Sequence, residues 1–465
     1  MPIETPHPLY SANLERWQRC RDAYEGEDTI KTAGDKYLPK VDPSQTAEEY
    51  EAYKRRALYY EAVSRTVDGF VGAISRKPHV LDLPGKLAVM LQDATTDGTG
   101  LSEFVKKLSG EALLLGRGGV LVDYDEALAR TYFAFYAAES IINWSASSVV
   151  LMETVYEADP SDPFAKVEIQ QIRQARIEDG RYLVTIWRKN AAAGAEKTWT
   201  VYQEILPTNR GVPIKELPWF WLSPIGRTSN VAKPPLLGLV NVSMSHYRSS
   251  ADLEHGRHFT AMPTLYVTGI SNSEPIRVGG GAAIIISDPE GKVGYAEFTG
   301  QGLKSLETAI EDKEQQMAVL GAAVFAGGKK GVEAAETARI RTSGENSLLM
   351  GVVSSAEETL RAAVACAGAW MGEKGEATIN LNRDFIDEKL DPQTLVGMVQ
   401  AYQAGAMSIE AFLYCLDQGG MLPPETDLSS EAAKLMAAKA VADKVLADAR
   451  KPPAAVPPAN PGGDK

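Results

Sequence analysis

Residues 234–260, PPLLGLVNVSMSHYRSSADLEHGRHFT, and 303–325, LKSLETAIEDKEQQMAVLGAAVF, decide the fold. The proline pair opens a helical run from Leu236 to Thr260, a rod of about 37 Å at 1.5 Å per residue. In the second stretch Leu306, Ile310, Met317, Leu320 and Val324 recur at helical spacing, which predicts a helix with one packed face. Its other face carries Glu307, Glu311, Asp312 and Glu314 against Lys304 and Lys313 and is mainly acidic. Between the two rods lie PTLYVTGI (263–270), a glycine turn at 279–281, AAIIISD (282–288) and KVGYAEF (292–298). These read as strands, so a small sheet is carried between two long helices.

Working outward, AGGKKGVEAA (326–335) is a glycine-punctuated loop with two lysines, followed by a very long helical pattern from Glu336 to Met371 that Gly344 and Gly351 could kink. ATINLN (377–382) reads as a strand, and 391–448 as three helices separated by Gly419-Gly420 and Pro423-Pro424. The tail KPPAAVPPANPGGDK (451–465) has a disordered composition. Upstream, Thr46 and Glu49 have the spacing of a capping box, and Tyr50, Tyr53, Ala57, Tyr60, Val63 and Val67 continue one helix to about Ile74, stopped by Lys77-Pro78. A second helix spans 102–115. Strands at 120–122, 132–136, 166–173, 182–189 and 197–204 make 118–223 a mostly antiparallel sheet. The first forty residues hold Trp17, Tyr24 and Tyr37 among many charges and yield only a loop, TAGDKYLPK (32–40). The fold class is α+β.

The length, 465 residues, allows two or three domains, and 44% hydrophobic residues can build ordinary cores. A formal charge of -13 argues against tight, sequence-independent wrapping of DNA, which needs basic surface. Cys20, Cys366 and Cys415 are too few and too scattered for a disulfide framework, which fits a reducing compartment. The start MPIETPHPLY lacks a basic and then apolar leader, and no run of about 18 apolar residues occurs, so a soluble chain is expected.

Helix, strand insert, helix, short loop and long kinked helix is an order that resembles the portal proteins of tailed bacteriophages. The phrases that carry the likeness are LSEFVKKLSGEALLLGRGGVLVDYD (101–125), LPWFWLSP (217–224) and SADLEHGRHFTAMPTLYVTGI (250–270). LETAIEDKEQQMAVLGAAVF (306–325) and TARIRTSGENSLLMGVVSSAEETLRAAVACAGAWMG (337–372) extend it. The resemblance implies a sheet-bearing wing (1–235), stem helices (236–260 and 301–325), a small β-rich clip (261–300) and a tunnel loop (326–335). A long helix with a wing return strand (336–390), a helical crown (391–450) and a disordered tail (451–465) would follow. It also implies a ring, of twelve subunits in the virion, at one capsid vertex. Its partners would be double-stranded DNA in the channel, the terminase large subunit, head-completion and tail adaptor proteins, and major capsid and scaffolding proteins. Assembly would occur in the host cytoplasm, with no membrane, cofactor or metal. A nucleotide-dependent packaging enzyme, or another virion protein such as a capsid or tail adaptor subunit, is the alternative.

The candidate DNA-channel residues are Lys329 and Lys330, which could touch phosphates from the loop, and Glu307, Glu311 and Glu314, which could repel them. Each set also has a plain reading as a solvated turn or helix face. Gly116, Gly118 and Gly119 follow a helix and precede a strand, the reverse of a dinucleotide fingerprint, and so fit a tight turn. Gly327-Gly328-Lys329-Lys330 lacks the spacing and hydroxyl of a phosphate loop. His246, Glu254, His255 and His258 share helical spacing without a metal motif, and Asp123 and Asp125 form only a weak D-x-D pair. Trp219, Phe220 and Trp221 read as core anchors rather than a base-stacking platform. No nucleophile elbow occurs, and catalysis is not expected.

Overall fold

The computed structural model describes residues 2–159, 161–190, 198–261, 264–269, 286, 288–296, 301–321, 335–385, 392–418, 421–422 and 426–449. The chain divides into a large unit, Met1–Arg383, and a small one, Asp384–Lys465. Helix and sheet are mixed in the first and helices alone appear in the described part of the second, as an α+β reading requires.

The first forty residues are more ordered than their sequence suggests. His7 caps a helix, Pro8–Glu25, by accepting the Leu9 N–H on its ring nitrogen, and Pro8 fits the first turn because its missing N–H would have no partner there. Trp17, Cys20 and Ala23 bury one side of this helix, and Glu27–Thr32 follows after Gly26. The capping box at Thr46 and Glu49 forms with both of its reciprocal bonds. The helix it starts ends at Arg56, however, and a second runs Ala62–Ile74, so the single helix expected over 46–74 is two. Ala57 is extended, and the break lets Tyr59 sink into the core with its hydroxyl donating to the Ala23 carbonyl at 3.0 Å.

Helix Leu101–Leu114 leads through Gly116 into strand Gly118–Asp125, which pairs with Arg130–Ala137 on one side and Trp219–Leu222 on the other. A second sheet is a five-strand antiparallel meander of Ile141–Trp144, Ser148–Asp159, Asp162–Glu178, Arg181–Lys189 and Trp199–Ile205, in that order. The first two of these were not read from the sequence. One face of the meander packs Val149, Leu151, Ala175, Val184 and Ile186 with Trp144 and Trp219, joining the two sheets in one core. Ile142, Val150 and Ile172 on the opposite face are covered by Ile3 and Tyr10.

Helix Leu237–Thr260 is buried on several sides. Leu239, Val240, Met244, Tyr247 and Ala251 lie in the core, and it packs against helices 8–25, 47–56, 62–74 and Gln301–Leu320 of its own chain. Between them strands Thr264–Val267 and Val293–Ala296 pair antiparallel, with register Leu265 to Tyr295. The proposed strand at 282–288, the glycine turn at 279–281, the loop at 326–335 and the tail fall wholly or mostly outside the described residues. Ala335–Met371 forms a helix of 37 residues whose Leu349, Val352, Ala356, Leu360, Ala363 and Ala367 make a buried stripe against the 118–137 and 219–222 strands and helix 101–114. Thr378–Asn380 closes the unit by pairing with Val80–Asp82. In the small unit, Pro392–Gln403, Ile409–Gln418 and Leu428–Ala449 gather around Ile409, Leu413 and Ala432.

Candidate functional site

The two helices that bracket the strand insert run antiparallel, as their cross-contacts show. A side-chain carbon added at Gly256 would lie 2.5 Å from Leu303, and one at Gly238 would lie 3.7 Å from Leu320 at the opposite end. The Arg257 guanidinium bridges Glu254 of its own helix and Glu307 of the other, each at 2.9 Å. Lys313 donates to the Ser245 carbonyl at 3.3 Å and to the Ser249 hydroxyl, and burial lowers its pKa. His246 is buried, its Nε2 lies 3.5 Å from Glu314, and burial holds the ring below its ordinary pKa against the pull of that carboxylate.

Of the three glutamates singled out from sequence, Glu307 is therefore ion-paired and Glu314 faces a histidine, while Glu311 is solvent-exposed beside the exposed Asp312. All three lie on one helix. Met317 is buried on the packed side, with Leu306 and Ile310 half-buried; Leu320, expected there too, is 44% exposed. Lys329 and Lys330 lie outside the described residues.

The remaining candidates take structural roles. Gly116 adopts φ +68° just beyond the 101–114 helix, the left-handed turn that glycine accepts. Side-chain carbons at Gly118 and Gly119 would meet the Phe135 ring at 2.8 Å and the Trp219 ring at 2.0 Å. Asp123 accepts from Arg173 at 2.9 Å, and Asp125 accepts the Leu128 N–H. His255 packs edge-on against Tyr53 and Phe259, whereas His258 meets Arg56 at 3.1 Å. No group of three metal-binding side chains occurs among the described residues. Trp219, Phe220 and Trp221 lie on an edge strand of the three-strand sheet, paired to Gly118–Asp125, with the two indoles edge to face at 5.2 Å.

Two buried charged clusters were not read from the sequence. Arg117 is sandwiched between Trp144 and Trp221, its guanidinium carbon 4.2 and 4.1 Å from the ring centres. It donates to the Ser229 carbonyl at 2.9 Å and the Asn230 carbonyl at 3.3 Å, and desolvation pulls its pKa down to about 10. A lone arginine inside the apolar run LLLGRGGVLV was the available signal. Arg173 joins Asp123 of one sheet to Glu153 of the other, and Tyr136 and Gln171 donate to the same Glu153 carboxylate at 2.5 and 2.7 Å. Such a satisfied network fixes how the sheets meet. Only the register shows it.

Residues 235–371 match the model of a domain of unknown function, DUF4055, and this segment coincides with the helix, insert, helix and long-helix succession. No curated protein matches the chain. Among solved structures, a chain from the "Virion of native gene transfer agent (GTA) particle" is 12% identical with TM-score 0.41, over 82% of this chain and 94% of its own. One from the "Neck of empty GTA particle computed with C6 symmetry" is 11% identical with TM-score 0.41, over 86% and 99%. A third, from the "Neck of native GTA particle computed with C12 symmetry", is 11% identical with TM-score 0.39, over 82% and 95%. Similarity at this level assigns no role to the chain. No described helix is long and apolar enough to cross a membrane.

Proposed function

We propose that the chain is a portal subunit: a phage-like virion protein that forms a ring at one capsid vertex, conducts the genome in and out, and docks the terminase and the head-completion proteins. The observation that carries this reading is the antiparallel pair Leu237–Thr260 and Gln301–Leu320, rooted in a helical and sheet body and tipped by a two-stranded ribbon. A ring needs rigid, repeated elements around an axis, and two coupled helices per subunit supply them. The acidic helix carrying Glu307, Glu311 and Glu314 would discourage passing DNA from adhering, and Lys329 and Lys330 would touch phosphates transiently. Particles assembled without this chain are expected to contain no packaged genome. Full-length genomes in such particles would contradict the proposal.

A further inference from the structure

We infer that the five-strand meander continues from one copy of this chain into the next, the edge strand Trp199–Ile205 of one pairing with the bare outer edge of residues 152–159 in its neighbour. The inference rests on the ring reading for the closed assembly, but the observations behind it concern this sheet alone. Strand 199–205 ends the sheet order, and every residue from Thr200 to Ile205 is exposed. Natural edges are guarded by lysine, proline or burial. This one, WTVYQEI, has neither lysine nor proline and only a single register shift, at Tyr202, and Val201 and Tyr202 are 52% and 59% exposed.

At the other side of the sheet, strand 141–144 covers its neighbour only from Val149 to Leu151. Its own outer edge is occupied by the N-terminal segment, through the His7 N–H to the Ile142 carbonyl at 2.9 Å and Asn143 to the Thr5 carbonyl at 2.8 Å. From Thr154 to Asp159 the strand pairs with 162–170 alone, beyond the reach of strand 181–189, whose ladder stops at Gln171. A two-stranded ribbon in water is marginal by itself. Here it exposes Tyr156 by 62% and Phe164 by 95%. Among the described residues the sheet thus has two open edges, of seven and eight residues.

Their polarity selects the occupant. Neighbours alternate direction through the five strands, so the first long strand and the last run opposite ways. A second copy placed beside strand 199–205 by translation therefore presents its 152–159 edge antiparallel, and the alternation continues unbroken. The edges differ in level: ladder by ladder, 199–205 stands beside 149–154. The copies must then be staggered by a few residues, about 3.3 Å each, which inclines the strands to a ring axis as in any closed barrel. The contact is head-to-tail, the type that generates rings. Tyr156 and Val201 lie on the same face of the sheet and come within cross-strand distance in this arrangement.

The test uses variants of the full chain with one added cysteine, Tyr156→Cys and Val201→Cys, each in a Cys366→Ser, Cys415→Ser background that keeps only the buried Cys20. Each is purified, and the two are mixed under mild oxidation. Disulfide dimers are expected in the mixture and not in either variant alone, and Val201→Lys is expected to abolish self-association while its melting temperature stays within a few degrees. Dimers from Val201→Cys alone, or unchanged assembly of Val201→Lys, would overturn the inference. If the wild-type chain forms closed rings without the mixed cross-link, this interface fails and the ring reading stands. If the mixed cross-link forms in open chains only, the interface stands and the ring reading fails.

Discussion

Gly119 is held by a ring rather than by a turn: the Trp219 indole occupies the space a side-chain carbon would need. Trp219 is itself buried, so it cannot yield cheaply. Gly119→Ala is expected to destabilise the large unit by about 1–3 kcal/mol, seen as a lower denaturant midpoint; an unchanged midpoint would refute this packing account. The glycine cluster was legible as a helix-to-strand turn because helix and strand periodicities flank it. The Trp219 contact was not, since it depends on a strand nearly a hundred residues away. Charge at residue scale leads to Lys329 and Lys330. Lys329→Glu with Lys330→Glu is expected to leave assembly intact and to shorten the packaged genome, measured by gel sizing of particle DNA. Normal genome length would reject a DNA-handling role for the pair.

At the scale of elements, the long helices were read closely because their apolar periodicity is sustained over several turns. Leu101–Leu114, Leu237–Thr260 and Ala335–Met371 each begin or end within one residue of the reading. The helix expected over 46–74 failed because helical spacing on both sides of a break looks continuous when Tyr59 still falls near the buried face. Strands 141–144 and 148–159 escaped because their pattern changes from core to exposed ribbon partway. The pair Val80–Asp82 and Thr378–Asn380 joins distant chain segments, and His79 sits at its end, its Nδ1 accepting the Asn382 N–H at 3.1 Å. Burial first, and then Lys106, lower its pKa below 6.5. The unfolded chain therefore binds the proton more readily than the folded one, so stability held above about pH 6.5 is lost as pH falls. Hydrogen exchange of the Thr378–Asn380 amides, corrected for intrinsic rate, is expected to show weaker protection at about pH 5.5 than at about pH 7.5. Equal protection would contradict the sign.

For the whole molecule, the net charge of -13 and the acidic helix point the same way under the proposed portal role: passing DNA would be kept moving rather than held. The sequence sets the change from mixed structure to helices alone at 390/391, and the chain divides after Arg383. What composition and periodicity did not carry was how copies meet, because the open sheet edges appear only when strand order and register are known. The chain is proposed to close into a ring, and electron microscopy of the purified chain with class averaging tests this most directly. Closed rings with a central hole are the predicted result; a compact closed dimer without a channel would contradict the account.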